Sequence, residues 1–177
     1  MANLKIGDKA IPFNLIGVDD QQHALSDYAD KAAVAVIFSC NHCPYVRAWE
    51  DRMIQIQADY ADKGVQLIAI NANDATKYPD DSFPKMKERA QEKGFNFPYL
   101  HDETQEIAQA YGAERTPQVF LFDQDGVLRY HGAIDDNYEN PNAVKQHYLR
   151  DALDAVLAGQ DPPVTETPPV GCTIKWK

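Results

Sequence analysis

The chain has 177 residues, 44% of them hydrophobic and 25% charged, with a formal net charge of −10. That is enough for one domain with a real core. The acidic balance, with no dense Lys/Arg cluster, argues against nucleic acid or an anionic membrane as a partner.

No stretch approaches the ~20 apolar residues of a membrane span. The N-terminal eight residues hold no apolar core of signal-peptide length, so a cytoplasmic location is expected. Three cysteines are too few, and odd in number, for a disulfide scaffold. In a reducing compartment the paired ones point to catalysis or metal binding.

In chain order, residues 11–15 alternate, residues 17–21 are turn-rich and residues 22–25 complete an expected small hairpin. Ser26 is a candidate N-cap for a short helical turn. Residues 32–39 form an apolar run without charge, the pattern of a strand covered on both faces. From residue 41 to about 63, Val46, Trp49, Met53, Ile56 and Tyr60 recur at three- and four-residue steps, which predicts one buried helical stripe. Pro44 falls in its first turn and Gly64 ends it. Residues 65–72 are a second buried strand, completing a strand–helix–strand crossover.

Residues 73–82 are polar, carry Pro79 and are expected to form a loop. Helices are expected at 83–93 and 104–111, with a short strand near 98–100. Residues 118–122 and 127–131 are strands joined by a short loop, hence antiparallel neighbours. A last amphipathic helix is expected at 142–158. Residues 1–159 are then expected to form one domain and residues 160–177 a proline-stiffened, extended tail that carries Cys172 to some place on the body.

The sequence Cys40-Asn41-His42-Cys43 falls where the first buried strand gives way to the helix. Two thiols at this spacing can close a disulfide. A helix N-terminus favours a thiolate through its unpaired N–H groups and its dipole. Such a pair beside a strand–helix–strand pattern is a thioredoxin-like redox signal.

On the hairpin, this dithiol junction, the insertion after the second strand and Thr116-Pro117 opening a late strand, the chain resembles thioredoxin-fold proteins. The branch it resembles lies close to the alkyl hydroperoxide reductase/thiol-specific antioxidant family. The resemblance covers about residues 6–159. It implies an α/β fold with a central mixed sheet flanked by helices. It also implies a cis peptide bond before Pro117, facing the dithiol. Two departures stand out. Ser39 occupies the place where thioredoxins carry tryptophan. The peroxidase pattern Pro-x-x-x-Thr-x-x-Cys is absent, since its proline and threonine places hold Ala33 and Ile37 counted from Cys40, or Val36 and Cys40 counted from Cys43.

Cys40, at the helix edge, is the expected exposed nucleophile, and Cys43 the resolving thiol. A free thiol titrates near ~8.5, and ionising it at neutral pH takes roughly 3 kcal/mol. A helix dipole supplies at most about 2 kcal/mol, so direct N–H or thiol hydrogen bonds and a neighbouring positive group must supply the rest. His42 is the candidate, and the resemblance to strongly oxidising thiol oxidases with histidine there supports it. Thr116-Pro117 is expected to present a free backbone edge for an extended substrate. The strand before Cys40 offers no buried acid. Asp74, Glu50 and Asp51 are weak substitutes, and Asp80-Asp81 and Asp135-Asp136 are read as solvated loops. His23, His101, His131 and His147 show no metal or nucleophile spacing. Cys172 is either idle or a second resolving thiol.

The leading expectation is a thiol–disulfide oxidoreductase. It would act on protein or small-molecule disulfides and draw electrons from a thioredoxin- or glutathione-type donor. No cofactor or metal is called for. The alternatives are a thiol-dependent peroxidase and a non-catalytic metal carrier using Cys40, Cys43 and a histidine.

Overall fold

The computed structural model describes residues 3–177. An antiparallel hairpin of β1 (Asn14–Gly17) and β2 (Gln22–Ala24) opens it. Next come β3 (Ala33–Ser39), α1 (Pro44–Tyr60) and β4 (Val65–Asn71), the two strands pairing in parallel. Then follow α2 (Phe83–Lys93), β5 (Tyr99–His101), α3 (Glu106–Tyr111) and the two-residue β6 (Arg115–Thr116). An antiparallel pair of β7 (Gln118–Asp123) and β8 (Leu128–Gly132) leads to α4 (Tyr148–Leu157), and the tail contributes β9 (Cys172–Thr173).

Seven strands form one mixed sheet in the order β2-β1-β5-β4-β3-β7-β8, and β6 pairs with β9 separately. This is the thioredoxin-like arrangement. The hairpin sits at one edge and α2 lies in the insertion after β4. Among the described residues, no helix is long and apolar enough to cross a membrane.

β3 is central because both its faces are apolar. Side chains alternate across a strand, so Ala33, Ala35 and Ile37 join Trp49, Met53 and Ile56 of α1 and Leu149 and Leu153 of α4. Val34, Val36 and Phe38 turn the other way, toward Ala108 and Tyr111 of α3 and Phe13. Each large side chain buried here contributes on the order of 1.5–3 kcal/mol. The helical stripe of α1 anchors the helix on the sheet and fixes its N-terminus beside the C-terminal end of β3.

Two boundaries differ from the sequence expectation. α1 begins at Pro44 rather than residue 41, because the residue before a proline is pushed out of helical geometry. Cys43 accordingly has φ −65° and ψ 127°. α4 begins at Tyr148 rather than residue 142, because the backbone just before it is held by Asp136. The Lys145 N–H donates to Asp136 Oδ1 at 3.0 Å, and the Asp136 N–H donates to the Gln146 carbonyl at 3.1 Å.

The tail is pinned along its length. The His131 N–H donates to the Thr165 carbonyl, and the Thr167 N–H to the His131 carbonyl, each at 3.1 Å. Ala133 N–H donates to Thr167 Oγ1 at 2.9 Å. Beyond β9, Ile174 is buried with α3 and Phe13. The Lys175 N–H donates to Asn73 Oδ1 at 2.9 Å, and the Asp74 N–H to the Lys175 carbonyl at 2.8 Å. The tail is a strap across the end of the sheet where β3 stops.

Candidate active site

Cys40 follows β3 directly and Cys43 is the N-cap of α1. The two pack against each other and Val46, with Cys172 of the strap beside them. All three are free thiols. Thr116 touches both members of the pair. Its Oγ1 lies 3.4 Å from Cys40 Sγ, and its carbonyl oxygen 3.6 Å from Cys43 Sγ, whose thiol donates to it when protonated. The Thr116–Pro117 peptide bond is cis, and Thr116 stands opposite Cys172 in the β6–β9 pairing.

Two expectations are overturned at this point. Cys40 is not at the mouth of the molecule: it and Cys43 are each 2% exposed. Nor is the edge beside Pro117 free, because β9 already pairs with β6 there. The strap comes back beside the dithiol and supplies the strand that the sequence reading left for a substrate.

The two sulfurs are pulled in opposite directions. Cys43 is pulled down to about 4, chiefly by the Cys40 thiol donating to it, against the opposing effect of burial. The Cys172 thiol and the backbone N–H groups of Val46 and Cys172 add to the pull. Cys40 is pushed well above the ordinary thiol range, first by that same donation to Cys43, then by burial and by the Asp81 carboxylate. Cys172 is pushed up to about 11, by burial and then by its own donation to Cys43. The helix N-terminus at Cys43 favours a thiolate there, in the same direction.

His42 Nδ1 lies 3.0 Å from Asp81 Oδ2. Any positive charge on that ring is shared first with a buried carboxylate, a partner the sequence reading did not foresee. Asp81 is fully buried, contrary to its reading as part of a solvated loop. Its oxygens accept from Asn41 N–H at 2.7 Å, Asn73 Nδ2 at 2.9 Å and Asn71 Nδ2 at 3.2 Å. Asn41, the second residue of the motif, also accepts from Tyr99 Oη at 2.7 Å and donates through Nδ2 to the Asp80 carbonyl at 2.8 Å. Burial raises the Tyr99 phenol far above its usual range. The motif loop is thus held by a network of Asn41, Asn71, Asn73, Asp81 and Tyr99.

The other acids have structural partners. Glu50 is buried and bonded to Arg89, which donates from Nε to Oε2 at 3.1 Å. Asp51 is exposed and pairs with Lys93 at 2.6 Å. Asp74 is buried and its Oδ1 accepts from Thr76 N–H at 3.0 Å. Asp135, also expected to be solvated, is buried and accepts from Arg52 Nη1 at 3.0 and 2.8 Å and from Asn137 N–H at 2.9 Å. Among the described residues, no group of three or more His, Cys, Asp or Glu is arranged to hold a metal ion.

Asp81 and Asn41 are the residues around the dithiol that sequence reasoning missed. The available signal was Asn71 and Asn73, two polar residues at two-residue spacing where a buried strand ends. Such groups need a buried partner.

The geometry has parallels among known proteins. The chain is 26% identical over 126 residues to the thiol-disulfide oxidoreductase ResA of Geobacillus thermodenitrificans (strain NG80-2), covering 70% of this chain and 67% of that one. A crystal structure of an uncharacterized conserved protein from Geobacillus kaustophilus superposes with a TM-score of 0.93 at 44% identity, covering 99% of this chain and 95% of that one. The thioredoxin domain of a thiol-disulfide oxidoreductase from Bacteroides vulgatus shares the fold, with a TM-score of 0.61 at 19% identity over 71% of this chain and 86% of that one. Residues 6–131 match the AhpC/TSA family, a span that holds the dithiol, Thr116 and Pro117. The chain belongs to the AhpC/TSA family.

Proposed function

We propose that this protein is a thiol–disulfide oxidoreductase working through Cys43 and Cys40. The observation that supports this most is the contact between the two sulfurs at the start of α1, with Thr116 against both. The relatives named thiol-disulfide oxidoreductase point the same way. In this reading the Cys43 thiolate attacks one sulfur of a substrate disulfide. A Cys43–substrate disulfide forms and the other substrate sulfur leaves as a thiolate that takes up a proton. Cys40 then loses its proton and attacks Cys43, closing the Cys40–Cys43 disulfide and releasing the second substrate thiol. Two thiols from a thioredoxin- or glutathione-type donor reverse the sequence. The substrates are protein or small-molecule disulfides.

Equilibration with glutathione redox buffers tests this. The wild-type chain should show a two-electron transition, with the Cys40–Cys43 linkage in the oxidised form. A wild-type chain whose Cys40 and Cys43 stay alkylatable at every potential would refute the reading.

A second reading, a thiol-dependent peroxidase, is favoured by the family and by the low-titrating Cys43 at a helix N-terminus. Against it, the place of the peroxide-binding threonine holds Cys40, counted from Cys43. Rapid mixing with hydrogen peroxide and with a model disulfide separates the two. The oxidoreductase reading expects the disulfide to react faster.

A further inference from the structure

Cys172 is not simply a nearby cysteine. It stands opposite Thr116 in the β6–β9 pairing and so arrives at the residue that touches both sulfurs of the dithiol. Its thiol and its backbone N–H both bear on Cys43. The approach is built into the strap. A Cβ on Gly171 would lie 2.0 Å from the Thr116 carbonyl oxygen and 2.7 Å from the Thr116 carbonyl carbon, backbone atoms that cannot step aside. Only glycine lets the strap come this close. Anchors at Thr167 and Ile174 hold it on either side. Of the three cysteines, Cys172 alone is more than marginally exposed.

We propose that Cys172 is a third redox thiol, which exchanges with the dithiol to form a Cys43–Cys172 disulfide and carries the oxidising equivalent from the buried pair toward solvent. The inference rests on the oxidoreductase reading and adds a residue to it. Starting from the Cys40–Cys43 disulfide, the Cys172 sulfur loses its proton and attacks Cys43. The Cys43–Cys172 bond forms, the Cys40–Cys43 bond breaks and Cys40 takes up a proton, with no net oxidation. An external thiolate then attacks Cys172, releasing Cys43 as a thiolate and leaving a mixed disulfide on Cys172. A second external thiol frees Cys172 and departs in the external disulfide. Two electrons and two protons pass to the protein in all.

Oxidised glutathione provides the test, with intact-mass and peptide mapping by mass spectrometry. Cys40→Ser should lose two hydrogens, retain no glutathione, release two glutathione thiols per chain and yield a linked Cys43–Cys172 peptide. Cys40→Ser/Cys172→Ser should stop after one release, with glutathione bound to Cys43. A lasting glutathione adduct on Cys43 in Cys40→Ser, with Cys172 still alkylatable, overturns the proposal.

Gly171→Val in the Cys40→Ser background keeps both thiols and should slow ring closure by about tenfold or more, since overpacking against backbone displaces the strap. An unchanged closure rate also overturns the proposal. If Cys40→Ser does not fold, the disulfide map of the oxidised wild-type chain decides instead, and the Cys43–Cys172 linkage is expected there in exchange with Cys40–Cys43; its absence overturns the proposal. Cys172→Ser keeps the other two thiols. Failure of that variant to form Cys40–Cys43 counts against the oxidoreductase reading, whereas failure of Cys40→Ser alone counts only against the role of Cys172.

Discussion

His42 and Asp81 face each other at 3.0 Å, the ring 35% exposed and the carboxylate fully buried. Asp81 raises the Cys40 thiol, so a partner that offsets this carboxylate is expected to oppose it at that sulfur. Asp81→Asn should lower the Cys40 pKa, and His42→Ala should raise it by leaving the carboxylate without its partner. Stabilising a thiolate stabilises the reduced form, so the reduction potential should rise in the first variant and fall in the second. Asp81→Asn also deprives buried amides of an acceptor, at a cost of about 1–3 kcal/mol. Alkylation profiles against pH, mapped to Cys40, and urea midpoints check both effects. Parallel shifts in the two variants would refute the opposition.

Thr116 acts on Cys40 through its hydroxyl and on Cys43 through its carbonyl. The hydroxyl lowers Cys40. Thr116→Val should therefore raise Cys40 further and leave the Cys43 profile in place, at a stability cost of about 1 kcal/mol. Site-resolved alkylation distinguishes this from a general loosening, in which both profiles would move.

Gly132 has φ +141°, and a Cβ there would lie 2.1 Å from Thr167 Oγ1 and 2.5 Å from the Thr167 carbonyl oxygen. Gly132→Ala should lift the strap at Thr167, at a cost of about 1–3 kcal/mol. Faster hydrogen exchange at the Ala133 and Thr167 amides is expected, with faster alkylation of Cys40 and Cys43. If the thiols stay as slow as in the wild type, the strap is not what buries them.

Reduced Cys43 links stability to pH. Its folded value is about 4 against an ordinary 9.0. Between those limits the unfolded chain binds the extra proton, so stability rises with pH. The contribution is fully present above about 9 and lost as pH falls through about 4. Cys40 works the other way, because its raised value makes the folded chain hold a proton above pH 9.0 that the unfolded chain releases. Denaturation midpoints of reduced wild type and Cys43→Ser should therefore diverge as pH rises from about 4 to about 9. A constant gap across that window would contradict the thiolate assignment.

The fold was legible where the signal was local. The uncharged run that became β3 and the apolar stripe of α1 needed only neighbouring residues to interpret. The dithiol and Thr116-Pro117 were legible for the same reason, as short patterns at element junctions. Asp81 was not, because its partners Asn41, Asn71 and Asn73 come from the ends of two different strands. The burial of Cys40 was not legible either. Prolines in residues 160–170 announce an extended segment, but the choice of β6 as its landing place depends on contacts more than fifty residues apart.

The β6–β9 pairing sets a threshold for whatever approaches Thr116 from outside. A tethered segment competes at an effective concentration of about millimolar or above. A free polypeptide present at micromolar levels starts at a disadvantage of roughly a thousandfold. Weak, general affinity for strand edges will not overcome that. A visitor must bring something the resident lacks; for the proposed oxidoreductase that is a sulfur already in a disulfide, and the occupied edge would then admit partners by oxidation state before it admits them by shape.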